Sequence, residues 1–339
     1  PTSSTNLTMA KLALPGWLRT TGFALFALGL LYFAFDGVDL QAVWTSAQEA
    51  QWGWIGLSVA LGYIAILSRG QRWTYVLKHL GYSTSMWRAV HATGIGYLVN
   101  MAIPRAGEVA RATALNRADK IPVNVLIGTI VIERTIDLVM MAGLLGLAFL
   151  GASEELSALI DITQQNADGS PKEAGFPWAS IFGYLFLATA LGAFLFRKRI
   201  QASPFYAKLR EFLRGMLEGI KAVGQLENKW AFWAHTFFIW GCYYVMVYVC
   251  FYALPFTTHF SLAQGLFVMM AASLGVLIPV PGGVGAYHYL VAMALVVLGL
   301  PYAQGLAFAT IVHAAQAIML MSSGVIGLIG LSAKKGRTS

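Results

Sequence analysis

Long apolar segments separated by short polar ones run through the chain, and this pattern predicts a bundle of helices that cross a membrane. About 20 apolar residues are needed to cross roughly 30 Å of hydrocarbon as an α-helix. The segments of about that length or longer, each predicted to span the membrane, are residues 17–35, 52–68, 121–150, 176–196, 230–254 and 302–331.

Two further apolar segments are interrupted. Residues 89–103 are broken by two glycines and an asparagine and end at Pro104, and residues 279–285 read PVPGGVG. Segments this broken cross a membrane poorly, because non-helical backbone leaves polar groups without partners in lipid. We therefore predict two re-entrant helical hairpins, at residues 89–120 and 261–300, each of which enters and leaves on the same side of the membrane.

The order span, span, hairpin, long span occurs twice and predicts an inverted repeat of residues 17–150 and 176–331. A shift of 181 residues, which sets Thr129 on Thr310, gives eight identities in 22 positions of the two long helices. Apolar helices use a small alphabet, so chance matches of this kind are common. The predicted fold class is an all-α polytopic membrane protein, an inverted repeat of spans plus two re-entrant helical hairpins. The other predicted segments are an N-terminal tail (1–16), an external loop (151–175), a cytoplasmic amphipathic helix (204–226) and a basic cytoplasmic tail (332–339).

Composition supports the membrane assignment and excludes a soluble domain. Hydrophobic residues make up 58% of the chain and charged residues only 11%, whereas soluble domains carry about 25% charge. The net charge of +8 does not indicate nucleic-acid binding, because 21 of the 23 Lys and Arg fall in segments assigned to one side. Eight carboxylates fall on the other side, in residues 36–49 and 154–173. The positive-inside rule then predicts a multi-pass protein of the cell (inner or plasma) membrane with both termini cytoplasmic.

The two cysteines indicate neither a disulfide nor a metal site. Cys242 and Cys250 lie eight residues apart in one apolar segment. On a helix they are separated by about 12 Å along the axis, which is too far for a disulfide. No Cys and His residues cluster with the spacing of metal ligands. We expect two buried, free cysteines, no metal site and no cofactor.

One stretch, residues 100–137, carries charges between segments that are otherwise strongly apolar. A charge at the bilayer centre costs about 2.5–3.5 kcal/mol on insertion scales, so such residues usually face the protein interior or a watery cavity. Three of these charges are positive and three negative, and a balanced cluster is easier to bury than an unbalanced one. We expect a polar site in which Arg105 or Arg111 pairs with Glu133. The candidate residues are Asn100, Arg105, Glu108, Arg111, Glu133, Arg134 and Asp137.

The motif PRAGEVAR (104–111) has the features of an anion site. Pro104 ends one helix, and the next helix begins with free N–H groups and the positive end of its dipole. Arg105 and Arg111 can add bidentate contacts to a phosphate, and Glu108 can pair with Arg111 at i, i+3. An ordinary basic cytoplasmic loop stays open for this motif. For ERTID (133–137), a purely structural network of buried ion pairs and a metal-binding pair of carboxylates stay open.

A second motif, PVPGGVGAYH (279–288), cannot form a regular helix, because two prolines and three glycines fall in its first seven positions. Free backbone N–H groups at such a break suit a phosphate or a carboxylate, and a plain turn between two spans is the simpler alternative. The nearby histidines are interpreted more readily as packing residues than as proton carriers. The candidate residues are Pro281, Gly282, Gly283, Gly285, His288 and His313.

At these residues the chain resembles the lysylphosphatidylglycerol synthase transmembrane family, the flippase-like domain found in multiple peptide resistance factors. The resemblance covers about residues 17–331 and is carried by PRAGE-x-x-R at 104–111, ER-x-x-D at 133–137 and PGG-x-G at 281–285. It implies a lipid-translocating membrane domain with two re-entrant regions, and it implies that the six charged residues of the first two motifs belong to the polar site. The soluble aminoacyl transferase of the two-part enzymes has no counterpart here, so we do not expect lysyl transfer.

These observations favour a lipid flippase or scramblase without enzymatic activity, which moves a phospholipid, an aminoacylated phospholipid or a polyprenyl phosphate. The GxxxxGK[ST] motif of ATP-driven proteins is absent from the sequence. Two alternatives stay open: a membrane-embedded enzyme that acts on a lipid phosphate, and a proton-coupled transporter of small solutes. The expected partners are membrane lipids and not nucleic acid, and a homo-oligomer is left open.

Overall fold

Helices account for nearly all of the residues that the computed structural model describes, which are 16–151, 214–215 and 217–332. No strand occurs in those ranges. Three helical stretches there are long and apolar enough to cross a membrane, Trp52–His79, Lys229–Ala253 and Tyr302–Ser332. The prediction of an all-α polytopic membrane protein is confirmed. In chain order the helices are α1 (Gly16–Phe35), α2 (Leu40–Glu49), α3 (Trp52–His79), α4 (Met86–Ala102), α5 (Gly107–Asp119), α6 (Val123–Gly151), α7 (Lys229–Cys250), α8 (Leu262–Leu277), α9 (Ala286–Val297) and α10 (Tyr302–Ser332).

The first interrupted segment forms a helical hairpin of α4 and α5. Pro104 disfavours the helical conformation at the residue before it, and Ile103 is accordingly extended, with φ −129° and ψ 107°. Arg105 then adopts a positive φ of 65°, which completes the reversal. The two helices pack closely where Gly96 faces the backbone of Gly107, since a Cβ on Gly96 would lie 2.9 Å from the Gly107 carbonyl oxygen.

The second interrupted segment forms a helical hairpin of α8 and α9. Its turn contains three glycines with positive φ, Gly282 at 59°, Gly283 at 76° and Gly285 at 82°. Residues with a Cβ rarely adopt this conformation, so the PGGVG sequence is what permits the sharp reversal. At the other end of α8, the Ser261 side chain caps the helix by accepting a hydrogen bond from the backbone N–H of Gln264.

The two halves of the chain repeat the same order of elements: a long helix, a hairpin and a second long helix. This order is α3, α4/α5 and α6 in the first half, and α7, α8/α9 and α10 in the second. The first helix of each hairpin packs against the long helix of the opposite half, α4 on α10 and α8 on α6, while α3 packs on α7. The exchange of partners ties the halves together. Their opposite orientation across a membrane stays a prediction.

Glycines bring α4 and α10 into close contact. A Cβ on Gly94 of α4 would lie 2.5 Å from the carbonyl oxygen of Ser323, and one on Gly324 of α10 would lie 2.9 Å from the carbonyl oxygen of Gly94. Small residues allow such approach between membrane helices, where packing rather than the hydrophobic effect drives association.

Two predicted boundaries are wrong. The second span does not end at residue 68, because α3 continues for 11 more residues to His79 and keeps Arg69 and Arg72 within the bundle. The predicted loop 36–49 contains the helix α2, which Asp39 caps by accepting a hydrogen bond of 2.9 Å from the backbone N–H of Gln41.

Several predicted segments lie outside the described residues, except at their edges. These are the N-terminal tail, the external loop 151–175, the span 176–196 and the basic tail. Of the predicted amphipathic helix 204–226, the described part is helical at 214–215 and 217–224. Both cysteines are buried and free, as expected.

The close contact of α4 and α10 predicts that Gly94→Ala destabilises the protein. The added methyl would push against the backbone of Ser323, and overpacking of this kind costs about 1–3 kcal/mol. Gly128→Ala on α6 is the control, since its Cβ would meet no described atom within 4 Å and alanine favours a helix by roughly 0.5–1 kcal/mol. Thermal unfolding in detergent should show a lower melting temperature for Gly94→Ala only. Equal melting temperatures for the two variants would contradict this packing.

Candidate functional site

Four charged side chains are buried where α3, α5 and α6 meet. Arg72 and Glu133 have 0% of their surface exposed, and Arg69 and Arg111 only 4%. Arg69 and Arg72 share one face of α3 because residues three apart lie above one another on a helix. Arg111 comes from the α5 arm of the first hairpin, and Glu133 lies on α6 one turn before Asp137.

Each of the two carboxylates on α6 bridges two arginines. Glu133 Oε2 lies 2.8 Å from Arg111 Nη1, and its Oε1 lies 3.5 Å from Arg72 Nε. Asp137 Oδ1 lies 3.0 Å from Arg72 Nη1, and its Oδ2 lies 2.5 Å from Arg69 Nη2. Arg72 therefore stands at the centre and contacts both carboxylates. We call these five residues the ionic cluster.

A further ion pair lies at the edge of the ionic cluster. Arg134 Nη2 is 3.0 Å from Glu108 Oε1, and Arg134 Nη1 is 4.0 Å from Asp137 Oδ2. The side chains of Arg134 and Glu108 are 43% and 28% exposed. This pair joins α6 to the first turn of α5 at a partly open position, which makes it the mouth of the site.

Neutral side chains hold the guanidinium groups in place. The Arg111 guanidinium lies 3.7 Å from the centre of the Trp73 ring, a cation–π contact that is favourable when both groups are desolvated. Trp73 is itself fixed, because its indole N–H donates a hydrogen bond of 2.8 Å to the Thr129 hydroxyl. Arg72 donates to Thr236 at 3.2 Å, and Arg69 donates to Tyr243 at 3.2 Å.

The ionic cluster and its mouth carry more positive charge than negative. Four arginines face three carboxylates, a formal surplus of one positive charge. Five buried guanidinium nitrogens and two carboxylate oxygens form no hydrogen bond within the described residues. One nitrogen and one oxygen of these, Arg72 Nε and Glu133 Oε1, face each other at the ion-pair distance of 3.5 Å. A buried donor left without a partner costs about 1–3 kcal/mol. The site therefore favours the arrival of an anion with several acceptor oxygens. The five nitrogens are Nε of Arg69, Arg72 and Arg111, and Nη2 of Arg72 and Arg111.

A small polar cavity adjoins the ionic cluster. Its volume of about 10 Å³ is close to the minimum that holds one water molecule. Side chains from α3, α4, α5 and α6 surround it, so it lies between the first hairpin and the rest of the bundle. The cavity is partly open beside Arg134 and Glu108, but a volume this small admits a lipid headgroup only if the hairpin moves. The lining residues are Arg69, Thr93, Gly96, Tyr97, Asn100, Gly107, Glu108, Arg111 and Arg134.

The structure brings most of the charged candidates together, with changed partners. Arg111 pairs with Glu133, one of the two partners considered from the sequence. Glu108 pairs with Arg134 and not with Arg111.

Arg105, the other partner considered for Glu133, occupies the exposed turn between α4 and α5 and forms no ion pair with any described residue, so a role for it in binding a headgroup stays a prediction. Arg69 and Arg72 join the ion pairs instead, and the expected balance of three positive and three negative charges is wrong.

The Asn100 side chain forms a hydrogen bond within the first hairpin. Its Oδ1 accepts a hydrogen bond of 2.7 Å from the backbone N–H of Gly107. This N–H is one of the donors that the start of α5 would otherwise leave free. The contact fixes the end of α4 against the first turn of α5, at one wall of the polar cavity.

Sequence reasoning missed Arg69 and Arg72 by assigning them to a basic loop. A usable signal was present, because the apolar residues Trp73, Val76 and Leu77 continue the helical spacing past both arginines. All three are buried, so the helix continues past the point where the positive-inside rule was applied.

The second motif lies apart from the polar cavity. Gly282 meets the first hairpin at Met101, whose Cε would lie 2.7 Å from a Cβ on Gly282. The turn of the second hairpin therefore contacts the first hairpin through this methionine side chain. The remaining candidates Pro281, Gly283 and Gly285 form the turn of the second hairpin.

The two candidate histidines have partners within the second hairpin and α10. His313 Nε2 donates a hydrogen bond of 2.9 Å to the Gly282 carbonyl, and His288 Nδ1 accepts one of 3.3 Å from the Gly285 N–H. The His313 ring also stacks on Tyr287 at 4.5 Å. Both histidines thus stabilise the glycine turn.

A comparison with family models gives a match over residues 20–324 to the family described as the lysylphosphatidylglycerol synthase TM region. The matched range includes the whole ionic cluster and both hairpins. No curated protein and no solved structure matches the chain.

The ion pairs predict that Arg72→Leu destabilises the protein strongly. The substitution leaves Glu133 and Asp137 without their shared partner, and breaking a buried pair costs about 3–5 kcal/mol. Arg214→Leu is the control, because Arg214 forms an exposed pair with Glu218 that contributes at most about 1 kcal/mol. Thermal unfolding in detergent should show a large drop in melting temperature for Arg72→Leu and little change for Arg214→Leu. If Arg72→Leu melts like the wild type, Arg72 does not hold the cluster together.

Proposed function

The chain belongs to the lysylphosphatidylglycerol synthase TM region family, and from this premise we propose that it moves a phosphate-bearing lipid across the membrane as a flippase or scramblase. One observation carries the proposal. Buried guanidinium groups outnumber the carboxylates that neutralise them, and several of their N–H donors lack partners beside a cavity. A lipid phosphate supplies both the negative charge and the acceptor oxygens.

Arg111 and Arg69 are the proposed phosphate ligands, since both line the polar cavity. Arginine binds phosphate through parallel N–H donors, and such charge-assisted bonds are about twice as strong as neutral ones. Glu133 and Asp137 hold the two arginines while the site is empty. The phosphate would share the guanidinium groups with these carboxylates rather than displace them.

The mouth of the site sets the side from which the headgroup enters. Trp52 and Trp54 at the start of α3 are exposed aromatic residues, of the kind that mark a membrane interface. Arg69 follows Trp52 by 17 residues, about 26 Å along the helix, near the far edge of hydrocarbon roughly 30 Å thick. A headgroup would therefore enter from the side opposite these tryptophans, past Arg134 and Glu108.

Opening of the first hairpin is the proposed conformational step. The cavity of about 10 Å³ is too small for a lipid headgroup. Movement of α5 away from α6 would separate Arg134 from Glu108 and widen the cavity between them. The Gly96–Gly107 contact and the Asn100 hydrogen bond keep α4 and α5 together, so the hairpin would move as a unit.

The proposal includes a location and an orientation in the membrane. The protein would be a multi-pass protein of the cell (inner or plasma) membrane, with both termini on the cytoplasmic side. Under this orientation the ionic cluster lies near the cytoplasmic interface. Transport itself requires no covalent step, so the proposal assigns no catalytic residue.

Transport by purified protein in lipid vesicles tests the proposal. Vesicles of phosphatidylglycerol that contain a fluorescent phosphatidylglycerol would report translocation through quenching from outside. Arg111→Gln and Glu133→Gln should each slow translocation about tenfold or more, because a lost charge-assisted contact costs roughly 1.5–3 kcal/mol. Arg117→Gln is the matched control, as Arg117 lies on the exposed face of the same helix.

Three results would count against this proposal. Wild-type rates in Arg111→Gln and Glu133→Gln would show that the ionic cluster is not the headgroup site. A chemically altered lipid after incubation would indicate a membrane enzyme instead. Uptake of a soluble anion without lipid movement would indicate a transporter of small solutes.

A further inference from the structure

An apolar groove lies between α2, α3 and α10, away from the ionic cluster. Its volume is about 570 Å³. Among the described residues, α2 contributes Trp44, α3 contributes Trp52, Gly56 and Tyr63, and α10 contributes Ile318 and Met319 to its wall. The groove is half open to the surroundings, and none of its lining residues in the described part of the chain is charged.

The groove has the depth of one membrane leaflet. Trp52 and Tyr63 mark its two ends on α3 and lie 11 residues apart, about 16 Å, or half of a hydrocarbon layer of roughly 30 Å. Trp44 and Trp52 are exposed at one end, as expected of residues at a membrane interface. At the other end the hydroxyl groups of Tyr63 and Ser322 form a hydrogen bond of 2.5 Å.

The repeat relates this groove to the ionic cluster. The shift of 181 residues that aligns α6 with α10 sets Glu133, Arg134 and Asp137 on Ala314, Ala315 and Ile318. All three residues of α10 line the groove. The same face of the long helix therefore carries charges in the first half and small or apolar side chains in the second.

We propose that this groove holds one hydrocarbon chain of a membrane lipid in the leaflet bounded by Trp44 and Trp52. This inference rests on the proposed function, in which the ionic cluster holds a phosphate near the opposite interface. The inference also rests on the predicted inverted repeat, which sets equivalent sites at opposite depths and gives the headgroup site near one interface a counterpart in the far leaflet. The groove then receives or supplies the tail of the transported lipid.

A shared layer of apolar side chains adjoins both sites. Tyr63 lines the groove and Tyr97 lines the polar cavity, and both pack on the same apolar cluster, which includes Met246 and Met319. Gly62 makes room for these methionines, since a Cβ there would lie 2.9 Å from Met246 Cε. Methionine side chains are flexible, so this layer can repack when lipid occupies either site.

Photocrosslinking with depth-resolved lipid probes tests the groove. The full chain is reconstituted in phosphatidylglycerol vesicles that contain phosphatidylglycerol with a diazirine either at the end of one acyl chain or near its carboxyl group. Adducts are mapped by mass spectrometry. The chain-end probe should label α10 around Ile318 and Ser322, and the carboxyl-end probe should label residues near Trp44 and Thr310.

Two matched pairs serve as controls. Ile318 of α10 and Ile64 of α3 are both exposed near the depth of Tyr63, but only Ile318 lines the groove, so adducts should concentrate at Ile318. Gly56 and Gly53 on α3 both have open space for a side chain, and only Gly56 lines the groove. Gly56→Phe should abolish the adducts around Ile318, and Gly53→Phe should leave them unchanged.

Each other outcome overturns the proposal. Equal labelling at Ile318 and Ile64 would mean that ordinary surrounding lipid fills the groove. If the chain-end probe and the carboxyl-end probe label the same residues, no acyl chain lies along α3. Protein–protein crosslinks at the groove would show that a second copy of the chain covers it.

The same preparation separates this proposal from the proposed function. In one outcome the wild-type protein fails to translocate fluorescent phosphatidylglycerol while Gly56→Phe still abolishes the depth-ordered labelling. In that case the proposal of lipid transport is wrong and the proposal of an acyl chain in the groove is supported. If transport proceeds and is lost in Arg111→Gln, but labelling has no depth order, the headgroup site stands and the groove proposal is wrong.

Discussion

Glu133 has no exposed surface, and the arrangement of the first half of the chain depends on neutralising it. A buried carboxylate without a partner would destabilise the fold by several kcal/mol, so Arg72 of α3 and Arg111 of α5 have to reach it. These contacts hold α3, α5 and α6 together at Glu133. Asp137, one turn further along α6, is neutralised in the same way by Arg69.

The same constraint explains why the site suits a transported anion. Two carboxylates cannot saturate three buried guanidinium groups, and the mouth pair of Arg134 and Glu108 adds no net charge. Two of the three arginines with unpartnered N–H groups, Arg69 and Arg111, line a small cavity that the first hairpin borders. A site that is incomplete without an anion, behind an element that packs through glycine contacts, fits a binding step coupled to movement.

Much of the fold could be predicted from local sequence because its causes are local. Pro104 and the glycines of PGGVG fix the two hairpin turns through backbone geometry, and the turns lie where the sequence indicates. The ion pairs have distant causes. Arg69 and Arg72 lie 68 and 65 residues before Asp137, so spacing along the chain could not reveal their partners. The positive-inside rule treats an arginine at the end of an apolar run as a loop residue, and here α3 continues past two of them. Arg105 shows the converse, since a residue of the same motif lies in an exposed turn and outside the ion pairs of the described residues.

The central claim is that the surplus of buried guanidinium groups binds a lipid phosphate. A structure of the full chain in nanodiscs of phosphatidylglycerol tests it most directly. We predict phosphate density within hydrogen-bonding distance of the Arg111 guanidinium, with Arg134 separated from Glu108 and the first hairpin shifted away from α6. Lipid bound elsewhere, with the cavity closed and every ion pair of the cluster unchanged, would contradict the account.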